Sequence, residues 1–316
     1  MTNGMRVHRY QPEMQPVWDA LVRGSVKPHF MFARSYMDYH ADRFPDASYL
    51  LERDGRIVAA FPGTIKDSSY HSHRGLSFGG WLPEGAGLTT AQTLAATELL
   101  VEELRRLGLR ELIYKVIPTM YHERPAEEDL YALFRLGAQL LKVEPCTAIR
   151  LAARGKVGSR RLRNQKKAAR LGCRYGRSQD WAGFWSLLTA RLRERHDVQP
   201  VHSLAEISGL VTAHPDNIQL FTATAPDGAL LAGVVMYMTP QVAHAQYIAA
   251  DPVGLEHGAL DGLFEHLITC CGPTHAWFSF GISSEEGGRV LNEGLIQQKE
   301  ECGGSTIVYS SFLVPL

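Results

Sequence analysis

Cysteine is scarce in this chain and unpatterned. Its five residues (Cys146, Cys173, Cys270, Cys271 and Cys302) show no Cys-x-x-Cys spacing. An odd number without that spacing argues against a disulfide framework and a four-cysteine zinc site, and fits a reducing compartment. No stretch reaches the roughly 18 apolar residues of a membrane span. The opening MTNGMRVHRYQPEMQPVW has no apolar run of the signal-peptide kind. A cytoplasmic protein without a membrane span is the expectation. There is no Walker P-loop, and no dinucleotide glycine fingerprint after a strand. His71 and His73 alternate on one strand, but no third ligand lies near, so no metal is expected. Net charge is absent too: 33 Lys and Arg balance 33 Asp and Glu. That balance argues against a protein coated in nucleic acid along its length.

What is present is a local excess of positive charge. Between Arg154 and Arg177 stand ten Lys or Arg and no acid. Within it SRRLRNQKKAARL, 159–171, has helical spacing that puts Arg160, Arg163, Lys167 and Arg170 on one face and Leu162 and Ala169 on another. Three uses remain open: a solvated amphipathic helix, a seat for a phosphate-bearing small molecule, or contact with transfer RNA. Without interleaved aromatics such a cluster suits backbone contact better than base readout.

At 316 residues and 45% hydrophobic content the chain has material for one large or two ordinary domains. Its pattern favours two. In the second half, helices are expected at 180–196 and 203–214, the latter opened by a Ser203/Glu206 capping box. Three strands follow, with a hairpin turn at Asp227-Gly228, then a helix at 255–271 and a buried strand at 275–282. A shorter helix over about 286–298 and a final strand complete that half. The first half runs through a similar order: helices at 12–23 and near 33–41, then a hairpin on Asp54-Gly55. A helix at 89–108, a strand at 110–118, a helix at 126–137 and an extended segment follow. The two halves share element order without residue identity. The expectation is a mixed α/β (α+β) class, built as two copies of one unit. These would be residues 1–152 and 179–316, with a basic helical connector at 153–178. Each copy would hold a mixed, mostly antiparallel sheet flanked by helices.

This order, with VAHAQYIAA, GALDGLFEHLI, FSFGIS and LNEGLIQQKEECGG near the end, resembles the FemAB-like branch of the GCN5-related N-acetyltransferases (GNAT). FMFARSYMDYHADRF and GLSFGG near the start are similar to FemAB-related proteins too. The resemblance covers nearly the whole chain. It implies an N-acyltransferase that moves an acyl group directly from an activated donor to an amine of a small molecule, with the chemistry in the second copy and no metal. Acyl-CoA is the expected donor. An aminoacyl-tRNA-dependent amide-forming transferase is the alternative, and an RNA-binding protein on the same scaffold is a non-enzymatic one. The acetyl-CoA loop of such domains, Gln/Arg-x-x-Gly-x-Gly/Ala, aligns with Leu255–Leu260. There Gly258 fits and both ends depart. A helix start at His257, Gly258 and Ala259 would still offer free N–H groups to a pyrophosphate, with Arg160 and Arg163 as further phosphate contacts.

The fold implies a donor lying between splayed fourth and fifth strands, here about 241–250 and 275–282. His244 and Gln246 alternate on the first of these. His244 titrates near neutrality and suits a general base, or is only a hydrogen-bonded sheet histidine. Lys299 matches the Lys of the family's terminal motif, with Gln298 where a Phe is usual. It would stabilise negative charge on the acyl oxygen, or else is a surface lysine. Glu285 is a further catalytic candidate, while Asp261, Ser283, Asn292 and Glu293 are candidates for holding substrate. Helix capping or solvation is the plain alternative for each. For Tyr309 and Cys302 a packing role is preferred.

Overall fold

A computed structural model describes residues 4–316. Through residue 150 its elements are β1 (Met5–Arg9), α1 (Gln15–Gly24), α2 (Arg34–Met37), β2 (Tyr49–Arg53), β3 (Arg56–Phe61), β4 (Thr64–Lys66), β5 (Ser69–His71), β6 (Leu82–Pro83), α3 (Thr90–Arg106), β7 (Glu111–Lys115), α4 (Glu128–Arg135) and β8 (Gln139–Arg150). Then come α5 (Ser159–Leu171), β9 (Arg174–Ser178), α6 (Trp181–His196), α7 (Leu204–Ala213), β10 (Ile218–Thr224), β11 (Leu230–Met238) and β12 (Val242–Ala250). The last elements are α8 (Pro252–His257), α9 (Ala259–Cys271), β13 (Trp277–Ile282), β14 (Ser284–Glu285), β15 (Val290–Leu291), α10 (Glu293–Glu300) and β16 (Ser305–Pro315).

The chain divides into two compact units. The first comprises Met1–Pro145, Glu286–Arg289 and Val308–Leu316, the second Cys146–Glu285 and Val290–Ile307. The sequence expectation put a boundary near 152 and the final strand in the second half. The partition falls at Pro145/Cys146, inside β8, and most of β16 belongs to the first unit. There β16 pairs antiparallel with β7, from Ser311↔Lys115 to Pro315↔Glu111.

In the first unit β1, β2, β3 and β6 form an antiparallel sheet. The Asp54-Gly55 turn puts both residues at positive φ, as a tight two-residue hairpin requires. α3 starts on a capping box between Thr89 and Gln92, and its buried Ala96, Leu100 and Leu104 join Phe61, Trp81 and Tyr114 in one core.

The second unit carries the candidate site. Its strand order is β8-β13-β12-β11-β10-β9, antiparallel throughout except for the β12–β13 pair. β11 is an apolar run because α9 covers one face and α6 reaches the other. Two expected helices are revised. The helix expected over 255–271 is broken into α8 and α9 at Gly258, which adopts φ 73°. A Cβ at that position would stand 2.6 Å from the Asn164 carbonyl oxygen of α5, so both the backbone angle and the close approach select glycine. The helix expected from about 286 begins at Glu293. The preceding residues form the β14–β15 hairpin, in which Ser284 pairs with Leu291.

Candidate active site

β12 and β13 run parallel for three residue pairs: Val242↔Trp277, Ala243↔Phe278 and His244↔Ser279. Beyond them the strands part. β12 is bulged, since Val235 faces Tyr247 while Met236 faces Ala245, which leaves Gln246 as the extra residue. β13 shifts register against β8 between Ser279 and Ile282, at Gly281 with φ 75°. The result is a pair of strand ends with unpaired backbone facing a gap. The lining faces of β12 carry His244 and Gln246, half-buried, while Ala243 and Ala245 on the opposite face are packed under α9.

His244 is held from beneath. Its Nδ1 lies 3.0 Å from Ser279 Oγ. That hydroxyl also accepts the Gly281 N–H at 3.3 Å and lies 3.4 Å from Cys146 Sγ. Burial, with the Lys299 charge adding to it, lowers the His244 pKa to about 4, against a hydrogen bond with Gln246 that raises it. The ring is therefore neutral at pH 7.

Lys299 is 7% exposed. Its Nζ donates to the Ile282 carbonyl at 2.6 Å and the Gly281 carbonyl at 3.1 Å. Burial lowers its pKa to about 8, so it remains mostly cationic at neutrality. An ammonium has three protons, and two carbonyls leave one. Lys299 thus clamps the departing end of β13 and brings a positive charge beside the gap. It is not the surface lysine that its acidic neighbours Glu300 and Glu301 suggest.

Ser283 is buried, and its hydroxyl, like that of Ser284, makes no hydrogen bond among the described residues. A buried unpaired hydroxyl is costly unless something else meets it. Asn292 caps α10 by accepting the Leu295 N–H at 3.0 Å, and its amide donates to Glu285 at 2.8 Å. This hairpin bond and helix cap give both residues a local structural role. Glu285 and Glu293 are exposed.

Asp261, expected to hold substrate, is engaged within the fold. Its carboxylate accepts from Arg161 and, at 2.8 Å, from Asn164 Nδ2. It pins α5 to α9. The same face of α5 sends Gln165 to Glu265 at 3.1 Å, while Arg154 meets Glu265 through two bonds of 2.8 Å. Arg160, expected at a phosphate, is bonded to Glu301 at 2.9 Å. α5 therefore covers the start of α9. Gly258 abuts Asn164 and Ala259 is fully buried, so the N–H groups expected to seat a pyrophosphate are shielded. His257 instead lines a cavity of about 460 Å³ with Lys167, Arg170, Leu171 and Glu256. Arg163 is exposed on the outer side of α5 with Lys166, Lys167 and Arg170.

Burial pushes the Cys302 thiol up to about 11, which keeps it protonated and a poor nucleophile. In the first unit Tyr309 is half-buried, with its hydroxyl 3.4 Å from that of Tyr121. Among the described residues no three His, Cys, Asp or Glu side chains gather as a metal site, and no helix is long and apolar enough to cross a membrane. Sequence reasoning missed Ser279 and Cys146. The signal for Ser279 was a lone small polar residue inside the aromatic strand WFSFGI.

A family model described as an acetyltransferase (GNAT) domain matches residues 156–286, which span the parted strands and the helices around them. Those residues are a GNAT acetyltransferase domain. That domain supports an N-acyltransferase, and the fold of the chain is the GNAT/FemAB-like one. The crystal structure of FemX superposes with a TM-score of 0.69 at 10% identity, over 98% of this chain and 97% of that one. L-PGS from Bacillus licheniformis gives 0.63 at 12% identity, over 96% and 92%. A tandem GNAT protein from the clavulanic acid biosynthesis pathway gives 0.53 at 12% identity, over 98% of both chains. At such identities the likeness is one of fold. A search of curated proteins by sequence found no match.

Proposed function

We propose that the protein forms an amide by direct transfer of an acyl group to the amine of a small molecule, in the gap where β12 and β13 part. The parting itself carries the reading. Pairing stops at His244↔Ser279, and there a neutral imidazole, the Gln246 amide and the Lys299 ammonium converge on strand ends with unpaired backbone. An oxyanion forming on the acyl carbon needs donors already in place, and the amine must be held close to that carbon. Lys299 supplies the charge, and its grip on the Gly281 and Ile282 carbonyls keeps the strands apart. The buried Ser283 hydroxyl, unpaired among the described residues, is suited to meet the acceptor. No covalent enzyme intermediate is needed.

Transfer RNA carrying an aminoacyl ester is the donor that the geometry favours over acyl-CoA. The shielded start of α9 speaks against a pyrophosphate seat at Gly258 and Ala259. The exposed row Arg163, Lys166, Lys167 and Arg170 suits a phosphate backbone, whose binding weakens steeply with salt. A protein from Agrobacterium fabrum named as a putative lysylphosphatidylglycerol synthetase, whose C-terminal domain has a TM-score of 0.56 with this chain at 12% identity, bears a name that also points to aminoacyl transfer.

Calorimetry with bulk charged tRNA and with acetyl-CoA, each at low and moderate salt, tests the donor. Salt-sensitive tRNA binding, weakened in Arg163→Glu with Lys167→Glu, and no CoA binding is the expected result. Salt-tolerant micromolar CoA binding would overturn the tRNA reading and restore the thioester.

A further inference from the structure

We propose that Ser279 holds His244 in the Nε2–H tautomer, so that His244 serves acyl transfer as a hydrogen-bond donor and not as the general base. The inference rests on the reaction centre proposed above. It follows from counting protons around one buried oxygen.

Ser279 is fully buried, and its Oγ has three polar neighbours. The Gly281 backbone N–H at 3.3 Å can only donate. Cys146 Sγ lies at 3.4 Å and His244 Nδ1 at 3.0 Å. A hydroxyl has one proton to give and two lone pairs to fill. Gly281 takes one lone pair. The single proton goes either to Nδ1, a strong acceptor, or to the thiol sulfur, a weak one. Giving it to Nδ1 lets the Cys146 S–H turn to the remaining lone pair, or to the Thr147 carbonyl at 3.9 Å, and satisfies every group. The opposite assignment, Nδ1–H into Oγ and O–H into sulfur, puts a good donor on a poor acceptor inside a buried site. With Nδ1 accepting, the ring proton of the neutral imidazole sits on Nε2, where Gln246, whose hydrogen bond raises the His244 pKa, can accept it until the acyl oxygen takes its place.

The surroundings agree. The charged or titratable groups around the ring are Lys299 from α10 and Cys146 from β8, and Gln246 is the polar neighbour on β12 itself. The ammonium and the burial both disfavour an imidazolium, as a donor role requires and a base role does not. Gly281 gives the ring its room, since a Cβ there would lie 3.4 Å from His244 Cε1.

The chemistry then balances without a histidine shuttle. The amine nitrogen bonds to the acyl carbon, and the bond from that carbon to the carrier oxygen breaks. The proton lost by the amine ends on the departing carrier hydroxyl. His244 keeps its own proton and lends it to the acyl oxygen while negative charge builds there. Ser279 is a positioning residue in this scheme.

The test is nitrogen NMR of the full-length protein labelled at histidine, with His244→Gln used to assign the ring. At neutral pH, Nδ1 should report as unprotonated and Nε2 as protonated. Ser279→Ala should mix the tautomers and Ser279→Thr should restore the single one. A wild-type ring protonated on Nδ1 would overturn the proposal whatever the activity. In turnover, His244→Gln carries an amide N–H near the Nε2 position and should lose about tenfold, while His244→Asn and His244→Ala should lose about 100-fold, the usual cost of one oxyanion donor. A His244→Gln protein as inactive as His244→Ala would overturn the donor role. Full activity in His244→Ala would overturn the reaction centre instead, and the spectrum keeps the two failures apart.

Discussion

Replacing Asp261 by Ala asks whether that carboxylate braces the fold or meets substrate. It is 7% exposed and receives Arg161 on one oxygen and Asn164 on the other. The Arg161 side chain is 12% exposed. Removing one partner of a buried pair costs about 3–5 kcal/mol when the other charge is stranded. Arg161 is not wholly stranded, because the Gln298 carbonyl at 3.0 Å and Glu301 at 3.5 Å remain. The expected loss is thus at the low end, about 3 kcal/mol. For a cooperative unit of 150–250 residues each kcal/mol shifts Tm by roughly 2–4 °C, so calorimetry should show a fall of about 6–12 °C. Pairing the change with Arg161→Met removes the stranded charge and should return part of the loss. KM for the acceptor should move little at a temperature where both proteins are folded. An unchanged Tm with a raised KM would refute the bracing role and return Asp261 to the substrate.

Gly258→Ala should be destabilising, since a left-handed backbone costs a non-glycine residue about 1–2 kcal/mol before the 2.6 Å approach to Asn164 is relieved; a thermal melt equal to wild type would show that α5 does not cover α9. Lys299→Arg keeps the charge but brings a larger planar group to the two carbonyls of β13, so kcat should fall while the wild-type donor affinity is retained, and single-turnover kinetics will separate the two. Stability should decline as pH falls from about 6.5 towards 4, because burial lowers the pKa of His71, His122 and His244 to about 4 and of His73 to about 2. Over that window the unfolded chain binds protons that the folded chain refuses. His73→Asn, which tolerates the left-handed backbone at φ 70°, should flatten the Tm-against-pH curve, and an unaltered slope would contradict the assignment.

Much of the architecture was written in local pattern. The basic helix, the Ser203 capping box and the Asp54-Gly55 and Asp227-Gly228 turns depend on neighbours a few residues away, and all appear where the spacing puts them. The break at Gly258 was hidden because it answers to Asn164, distant in sequence. The β14–β15 hairpin was hidden because its strands are two residues long. The β16 assignment to the first unit depends on a partner about 200 residues away and leaves no local trace. At the candidate site, His244 and Gln246 were legible as residue types on β12, and Lys299, which lies on α10, by its likeness to a family motif. What each touches was not. The same sequence permits Asp261 to face a substrate or Arg161, and only packing chooses. Ser279 was passed over because a serine in a buried strand carries no signal until its three neighbours are known.

The most direct test of the reaction centre is a transfer assay. Labelled donor, as charged tRNA and in parallel as acyl-CoA, is mixed with the filtered small-molecule fraction of a bacterial extract, and label is followed into an alkali-stable amide. Wild-type protein should transfer the label. Lys299→Ala, still folded and still binding donor, should be slower by about 100-fold or more. Transfer at the wild-type rate by both Lys299→Ala and His244→Ala would contradict the placement of the chemistry between β12 and β13.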